Sequence, residues 1–535
     1  MNTLTEPPAP YGAQTADIPQ AAPPTHHAVT ATQTALREPL RLVLFALGIG
    51  FLADTLFRGG ASGVGINAPI LVVAFLTCLG FLARGEAVAP KRTALALFAV
   101  PLVFFAAMLA VRANPSLSLL NIAGCGIITL LLLHFWGDGN PLTAPFGAWL
   151  ALPWKAFGGT LAAAPPFLRR ASGQIVVRGE RRAHYTAVGR GVLLAIPVLL
   201  IFGGLFTNAD AVFAERLRET TEWLFPADWG DRTWRLGGSL ATAFLAAGGF
   251  AHAITRREVT TVGATTNSEK APAAPLGITE AGIVLGTLAA LFAAFLCTQT
   301  RYLFGGDAHV QTAPNLTYAG YAHHGFAELN IAALLTLALL GGVKATTRRE
   351  TAAQSQVFAV LATALLAMTF PLLASAFGRM TAYEAAYGAT ELRLYVDVFM
   401  AWLAVGLLWC GTTLWRPAVP GGIGVYICAV GFLLSLNVLN PDREIARRNI
   451  ERYEKTGRLD RAYLRTLSDD ALPELVRLHG SSTPDDQQFV EEITVSRHAD
   501  PGADAWGAWN LSRTTARSIR QAHPLRGSPD APTSP

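Results

Sequence analysis

Residues 355–415 read SQVFAVLATALLAMTFPLLASAFGRMTAYEAAYGATELRLYVDVFMAWLAVGLLWCGTTLW, and the fold class follows from this stretch. It holds two apolar runs, each long enough to cross a bilayer as a helix of about 20 residues. Between them, RMTAYEAAYGATELRLYVD (379–397) packs two arginines, three carboxylates and three tyrosines. A charge at the centre of a bilayer costs about 3 kcal/mol or more. A chain that is otherwise greasy on both sides holds such groups for a reason.

Working outward, apolar runs of this length recur from Leu40 to Leu439. They fall at about 40–57, 66–83, 93–111, 116–135, 189–206, 236–254, 277–299, 326–343, 355–376, 391–414 and 421–439. The chain is 51% hydrophobic and 15% charged, against about 25% charged in a soluble domain, and its mean hydropathy is positive. The expected fold is an all-α polytopic transmembrane helix bundle of about eleven spans with a small C-terminal soluble helical appendage. The third and fourth spans are joined only by Arg112 to Pro115, which makes them an antiparallel hairpin. Gly282 and Gly286 form a GxxxG pattern, which lets helices approach closely.

The regions read in order as follows. Residues 1–39, rich in Pro, Ala and Thr, form a disordered tail that lacks the apolar core of a signal peptide. A four-span region with a long basic connector covers 40–187, and about seven spans cover 188–439. A helical appendage covers 440–480. There Asn440-Pro441 starts a helix, with Asn as cap and Pro in the first turn, that stops at Gly457, and Ser468 caps a later one. Residues 481–535 read as a loosely ordered tail.

Connector charges set the orientation. With the N-terminus cytoplasmic, the inside connectors carry sixteen Lys and Arg, among them Lys155, Arg169, Arg170, Arg256, Lys344 and Arg349; the outside connectors carry eight. The excess of basic residues favours this arrangement. Eleven spans then put the C-terminal tail outside. Arg outnumbers Lys 37 to 5, a bias expected of a GC-rich bacterial genome, and the expected location is the bacterial plasma membrane. The inside stretch 153–182, with Pro153, Trp154, Phe157, Phe167 and the Arg169-Arg170 pair, reads as an interfacial segment near anionic lipid. A connector that only fixes topology explains the same residues.

The five cysteines lie inside apolar runs without CxxC spacing, so neither disulfides nor a zinc site is expected. No P-loop, HExxH, GxSxG or dinucleotide fingerprint is present. No cofactor, metal or nucleic-acid partner is expected, the bilayer is the one expected partner, and catalysis has no support.

What remains is a set of polar residues at one depth. In the N-in arrangement Asp54, Asp210, Arg301, Tyr302, Tyr321, Glu328, Arg379, Tyr383, Tyr387, Glu391, Arg393 and Asp397 all fall towards the outer face. Arg393 and Asp397 are spaced i,i+4 and share a helix face. Arg393 sits near a helix N-terminus, where the dipole disfavours a cation, so it should be neutralised by Asp397, Asp54 or Glu328. Tyr383 and Tyr387 line a pocket or belong to an interfacial aromatic belt. Two readings stay open: binding or transport of a small solute, ion or lipid headgroup at this cluster, or a non-transporting sensor or partner protein in which the cluster is structural.

Four stretches together carry a resemblance: NADAVFAE (208–215), RYLFGG (301–306), TYAGYAHHGFAELN (317–330) and ASAFGRMTAYEAAYGATELRLYV (374–396). With NPDREIARRN at the start of the appendage, the chain resembles, over about 190–480, the polytopic bacterial membrane family DUF 4173, close to the DUF 4153 group. Gly320 and His323 stand where the family form carries an acid and an arginine. The resemblance implies a membrane protein and supplies no reaction.

Overall fold

The computed structural model describes residues 39–57, 63–85, 88, 91–137, 139–174, 216, 227–256, 276–303, 326–480, 484–496 and 506–522. All of these belong to one compact unit, Ala35–Pro535. Among them there is no strand, only an isolated parallel bridge between Leu276 and Thr347.

The helices are α1 Pro39–Leu56, α2 Asn67–Gly85, α3 Arg92–Leu109, α4 Pro115–Phe135, α5 Phe146–Gln174, α6 Ala227–Thr255, α7 Ile278–Leu303, α8 Phe326–Thr346, α9 Ala352–Tyr387, α10 Glu391–Trp415 and α11 Ile423–Leu439. They overlap the apolar runs except for α5, which falls in the expected basic connector, while α6 begins nine residues early and α9 ends eleven late. Nine helices among the described residues are long and apolar enough to cross a membrane, and α11 with the helix after it makes up to ten. The chain is an integral membrane protein, crossing many times. The expected span 189–206 and the tail 1–38 lie outside the described residues.

Local chemistry explains the helix ends. Asn114 caps α4, its Oδ1 accepting from the Leu117 amide at 2.7 Å, with Pro115 in the first turn. Thr351 and Gln354 form a reciprocal capping box on α9. Inside α3, Pro101 removes the amide that would bond the Leu97 carbonyl, and a π-helical turn covers Leu95–Ala99. The hydroxyl of Tyr426 on α11 donates to that freed carbonyl, so a neighbouring helix satisfies the break.

Two apolar cores result. One gathers α1–α6 and α11, with Phe98, Phe105, Phe250 and Leu132 fully buried. The other gathers α7–α10 around Leu285, Leu340, Phe358 and Leu407. Between them, Trp402 and Trp409 of α10 lie on Gly431 and Gly424 of α11; a Cβ at Gly431 would stand 2.1 Å from the Trp402 ring and one at Gly424 2.4 Å from that of Trp409. Gly282 and Gly286 do not serve this way: a Cβ at Gly286 would meet nothing within 4 Å. The stretch around 153–168 is part of α5, which buries Trp149, Leu152, Ala156, Ala164 and Phe167 at helical spacing and exposes Leu150 and Trp154.

After Leu439 the chain turns by 56° into α12, Pro441–Thr456, which is charged along its length. Two one-turn helices (461–464 and 472–475), α13 Pro484–Ser496 and α14 Leu511–Ala522 complete this region. They form a third core of Ile445, Leu464, Leu472, Leu475, Phe489 and Ile493. The expected loosely ordered tail from 481 therefore contains two packed helices. The sequence reading missed them because each has few apolar residues, which find partners only in the folded domain. Asn440 is not a side-chain cap either. It adopts φ 55° and makes the bend itself, the left-handed region being accessible to Asn.

Candidate functional site

The appendage sits on one end of the bundle, where α1, α3, α9 and α11 end and α2, α4 and α10 begin. Its contacts there are polar and buried. Asn114 is at the centre. Besides capping α4, its Nδ2 donates to Asp442 Oδ1 at 2.9 Å and to Glu391 Oε1 at 3.1 Å, and its amide donates to Asp470 Oδ2 at 3.0 Å. Asp470 also accepts from the Ala113 amide at 2.7 Å and from the Ser512 hydroxyl of α14. Asp442 takes the Ser468 amide at 2.8 Å. Burial raises the Asp442 carboxyl above its ordinary value, against the pull of the Ser468 and Asn114 hydrogen bonds. Burial lowers the neighbouring Arg112 guanidinium, which donates twice to the Asn437 carbonyl at 2.9 and 2.6 Å. About two turns deeper, Asn121 and Asn437 exchange amide hydrogen bonds at 2.9 and 2.8 Å, both fully buried.

The opening sequence stretch is held from the other side. α9 stops at Gly388, whose φ is +87° and where a Cβ would stand 2.4 Å from Asn449 Oδ1, so conformation and space both demand glycine. Asn449 of α12 pairs with both backbone groups of Ala389, at 3.1 and 2.8 Å. Arg452 donates to the Ala385 and Ala386 carbonyls, covering the carbonyl end of α9 with a cation, as the helix dipole favours. Arg448 reaches Glu384 at 3.1 Å and Asp397 at 3.8 Å, and bonds Glu444 on its own helix at 2.8 Å. Glu384 Oε1 and Asp397 Oδ1 are buried without a hydrogen-bond partner.

Several expected cluster residues do meet here, with different partners. Arg393 does not pair with Asp397. It donates to the Gly388 carbonyl and lies 4.1 Å from the ring centroid of Tyr383, whose ring is 4.9 Å from that of Tyr387 and tilted by 53° to it. The negative end of α9, immediately before it, neutralises Arg393, and Asp397 is left to Arg448 of the appendage. Glu391 binds Asn114 through its side chain, and its amide donates to the Tyr463 hydroxyl at 2.8 Å. Arg379 is half-buried near the same end of α9.

Other members stand apart. Asp54 forms a two-pronged pair with Arg235, at 2.9 and 2.8 Å, joining α1 to α6. Glu328 is exposed in the first turn of α8. Asp210 and Tyr321 lie outside the described residues, as do the side chains of Arg301 and Tyr302. Asn114, Asp442, Arg448 and Asp470 escaped the sequence reading. Their one signal was three arginines at 443, 447 and 448 directly after a membrane run, which read as an ordinary solvated helix.

Chemically, this end offers carboxylates bound to arginines, amides and serine hydroxyls, and among the described residues no group of three or more metal-ligating side chains. The sequence model of a family described as a domain of unknown function (DUF4153) matches residues 99–478. No curated protein and no solved structure matches the chain.

Proposed function

Since the chain belongs to the DUF4153 family, which carries no assigned activity, we propose a non-catalytic, non-transporting role in which the membrane bundle holds its C-terminal helical domain as a fixed platform for a partner. One observation carries this reading: Arg448 of the appendage reaches both Glu384 and Asp397, so the charges within the apolar stretch are spent on holding the domain. A buried carboxylate in such a place is costly unless paired.

We further place the platform on the outer face of a bacterial cytoplasmic membrane, because the opposite end of the bundle carries Lys91, Arg92, Arg256, Lys344, Arg348, Arg349 and Arg416 in or beside its connectors. The four shared sequence stretches also support membership of the narrower DUF 4173 group. For orientation, an impermeant maleimide should label Asp460→Cys from outside and Glu350→Cys only after permeabilisation. The reverse pattern would overturn the placement.

A second reading has its own support. Glu384 Oε1 and Asp397 Oδ1, both without a partner, would suit a small cation or a protonated solute. One experiment separates the two readings. The thermal midpoint of the purified protein is followed in sodium, potassium and a panel of cationic solutes, for the native chain and for Asp397→Asn. A ligand that binds only the folded state raises the midpoint with concentration. The platform reading expects no such rise that Asp397→Asn abolishes, and finding one would replace it with the binding reading.

A further inference from the structure

At the end of the bundle away from the appendage, a crevice of about 1000 Å³ opens between α8, α10, α11 and the first turn of α5. Its walls are almost wholly apolar, with Leu334, Leu337, Phe399, Trp402 and Phe432 among them. The shape is built in. The two tryptophans of α10 lie flat on glycines of α11 and are pinned there, Trp402 Nε1 by Ser435 Oγ at 3.0 Å and Trp409 Nε1 by the Pro420 carbonyl at 3.2 Å. They therefore leave the space towards α8 open.

The mouth is cationic. Lys344, in the last turn of α8, donates to the carbonyl and the hydroxyl of Thr413 at 2.7 and 2.8 Å, which leaves one of its three donors unspent. Arg349, exposed in the connector to α9, donates to the Lys344 carbonyl at 3.1 Å and rests 4.9 Å from the ring centroid of Phe358. Both cations line the crevice. From Leu334 to Lys344 a helix rises about 15 Å, half of the roughly 30 Å hydrocarbon layer. The crevice is thus one leaflet deep, apolar within, and basic where it meets the polar connector.

We propose that this crevice is a binding site for an anionic phospholipid, one acyl chain lying along α10 and α11 and the phosphate held by Lys344 and Arg349. A zwitterionic lipid would fill the same apolar space but would gain less from two cations. The site is separate from the polar clamp, and it does not depend on which face of the membrane it occupies.

The test uses the full-length protein reconstituted with equal amounts of phosphatidylglycerol and phosphatidylcholine, extracted in mild detergent and weighed intact by native mass spectrometry. The expected result is one retained lipid, with phosphatidylglycerol enriched on the order of tenfold. Lys344→Gln with Arg349→Gln should bring the ratio close to one. Arg349→Gln alone, which leaves the Lys344–Thr413 contact intact, should lower it part of the way. Leu334→Trp should reduce the total lipid retained by filling the apolar depth. Equal retention of the two lipids by the native protein would overturn the proposal, as would an enrichment that the double change leaves undiminished. So would no retained lipid, the outcome if protein fills the crevice.

Discussion

The two ends of this bundle are built in opposite ways. At the appendage end, buried polar groups are tied to distant parts of the chain: Asn114 with Asp442 and Asp470, Arg112 with Asn437, Arg448 with Glu384. At the far end, apolar side chains face a crevice, and polar groups are few beside it, Lys344 of α8 reaching across to Thr413 of α10. Both ends consist of helix termini with unsatisfied backbone groups. The difference is what covers them: a folded domain in one case, the polar connectors and, by our proposal, lipid in the other. Charge inside an otherwise apolar sequence here marks attachment, and an apolar concavity with charge only at its rim marks the side left open.

The contrast breaks most readily at Asp470. Asp470→Ala would strand the amides of Ala113 and Asn114, while the Ser512 hydroxyl keeps the Val111 carbonyl, and unsatisfied buried donors cost about 1–3 kcal/mol each, so a loss of at least about 2 kcal/mol is expected. Limited proteolysis should then cut between 480 and 506 while the spans stay protected. Continued protection of the domain would show that this end is not the tightly tied one.

Arg448→Gln should come next, costing about 2 kcal/mol, because Glu384 and Asp397 would keep their burial and lose their cation. Thermal unfolding measures it, and adding Asp397→Asn should recover part of the loss. No recovery would mean that Asp397 is not what Arg448 holds.

On the apolar side, Gly431→Ala places a methyl where the Trp402 ring lies and should cost about 1 kcal/mol by overpacking. The assay is detergent-induced unfolding, and Trp402→Phe in the same chain should relieve the strain. An unchanged midpoint in the single variant would mean that the crevice wall yields freely.

The smallest effect concerns pH. Burial pushes the Glu474 carboxyl up, but the Arg477 and Arg443 guanidinium groups, at 2.8 and 3.0 Å, more than reverse this and leave it below its ordinary value. The stability it supplies is complete above the ordinary carboxylate range and disappears as pH falls through the lowered value. Both arginines are more than half exposed, so solvent screens the pair and the change is small. Glu474→Gln should flatten the acid limb of the midpoint-against-pH curve; an unaltered limb would assign it to other carboxylates.

The sequence made the bundle legible because hydrocarbon is an unforgiving solvent. α1–α4 and α6–α11 each begin and end near where their apolar runs do, except that α6 begins nine residues early, at Ala227, and α9 continues to Tyr387. The helix continues because its last turns lie under the appendage, whose Asn449 and Arg452 satisfy its carbonyl end. The site was half legible. That polar groups gather at one end was visible in their positions along the runs. Their pairing was not, since an i,i+4 spacing such as Arg393–Asp397 offers one partner among several. Both residues chose partners outside their own helix, the end of α9 and Arg448. The crevice left no mark in sequence beyond Trp402 and Trp409 spaced seven apart, opposite Gly424 and Gly431 at the same interval.

Asn510 Nδ2 of the appendage donates to the carbonyls of Leu109 and Arg112 at 3.0 and 2.8 Å, and the Leu511 amide donates to the Ala110 carbonyl at 2.8 Å. These bonds link the first membrane hairpins to residues that the ribosome adds about 400 positions later. At translation speeds of about 5–20 residues per second, the 110–114 turn waits for some tens of seconds before its covering segment exists. During that interval the turn must stay wet or be shielded by something other than its own chain. A nascent protein stalled before residue 510 would have an inserted bundle with an uncovered end, a state that quality-control machinery could recognise.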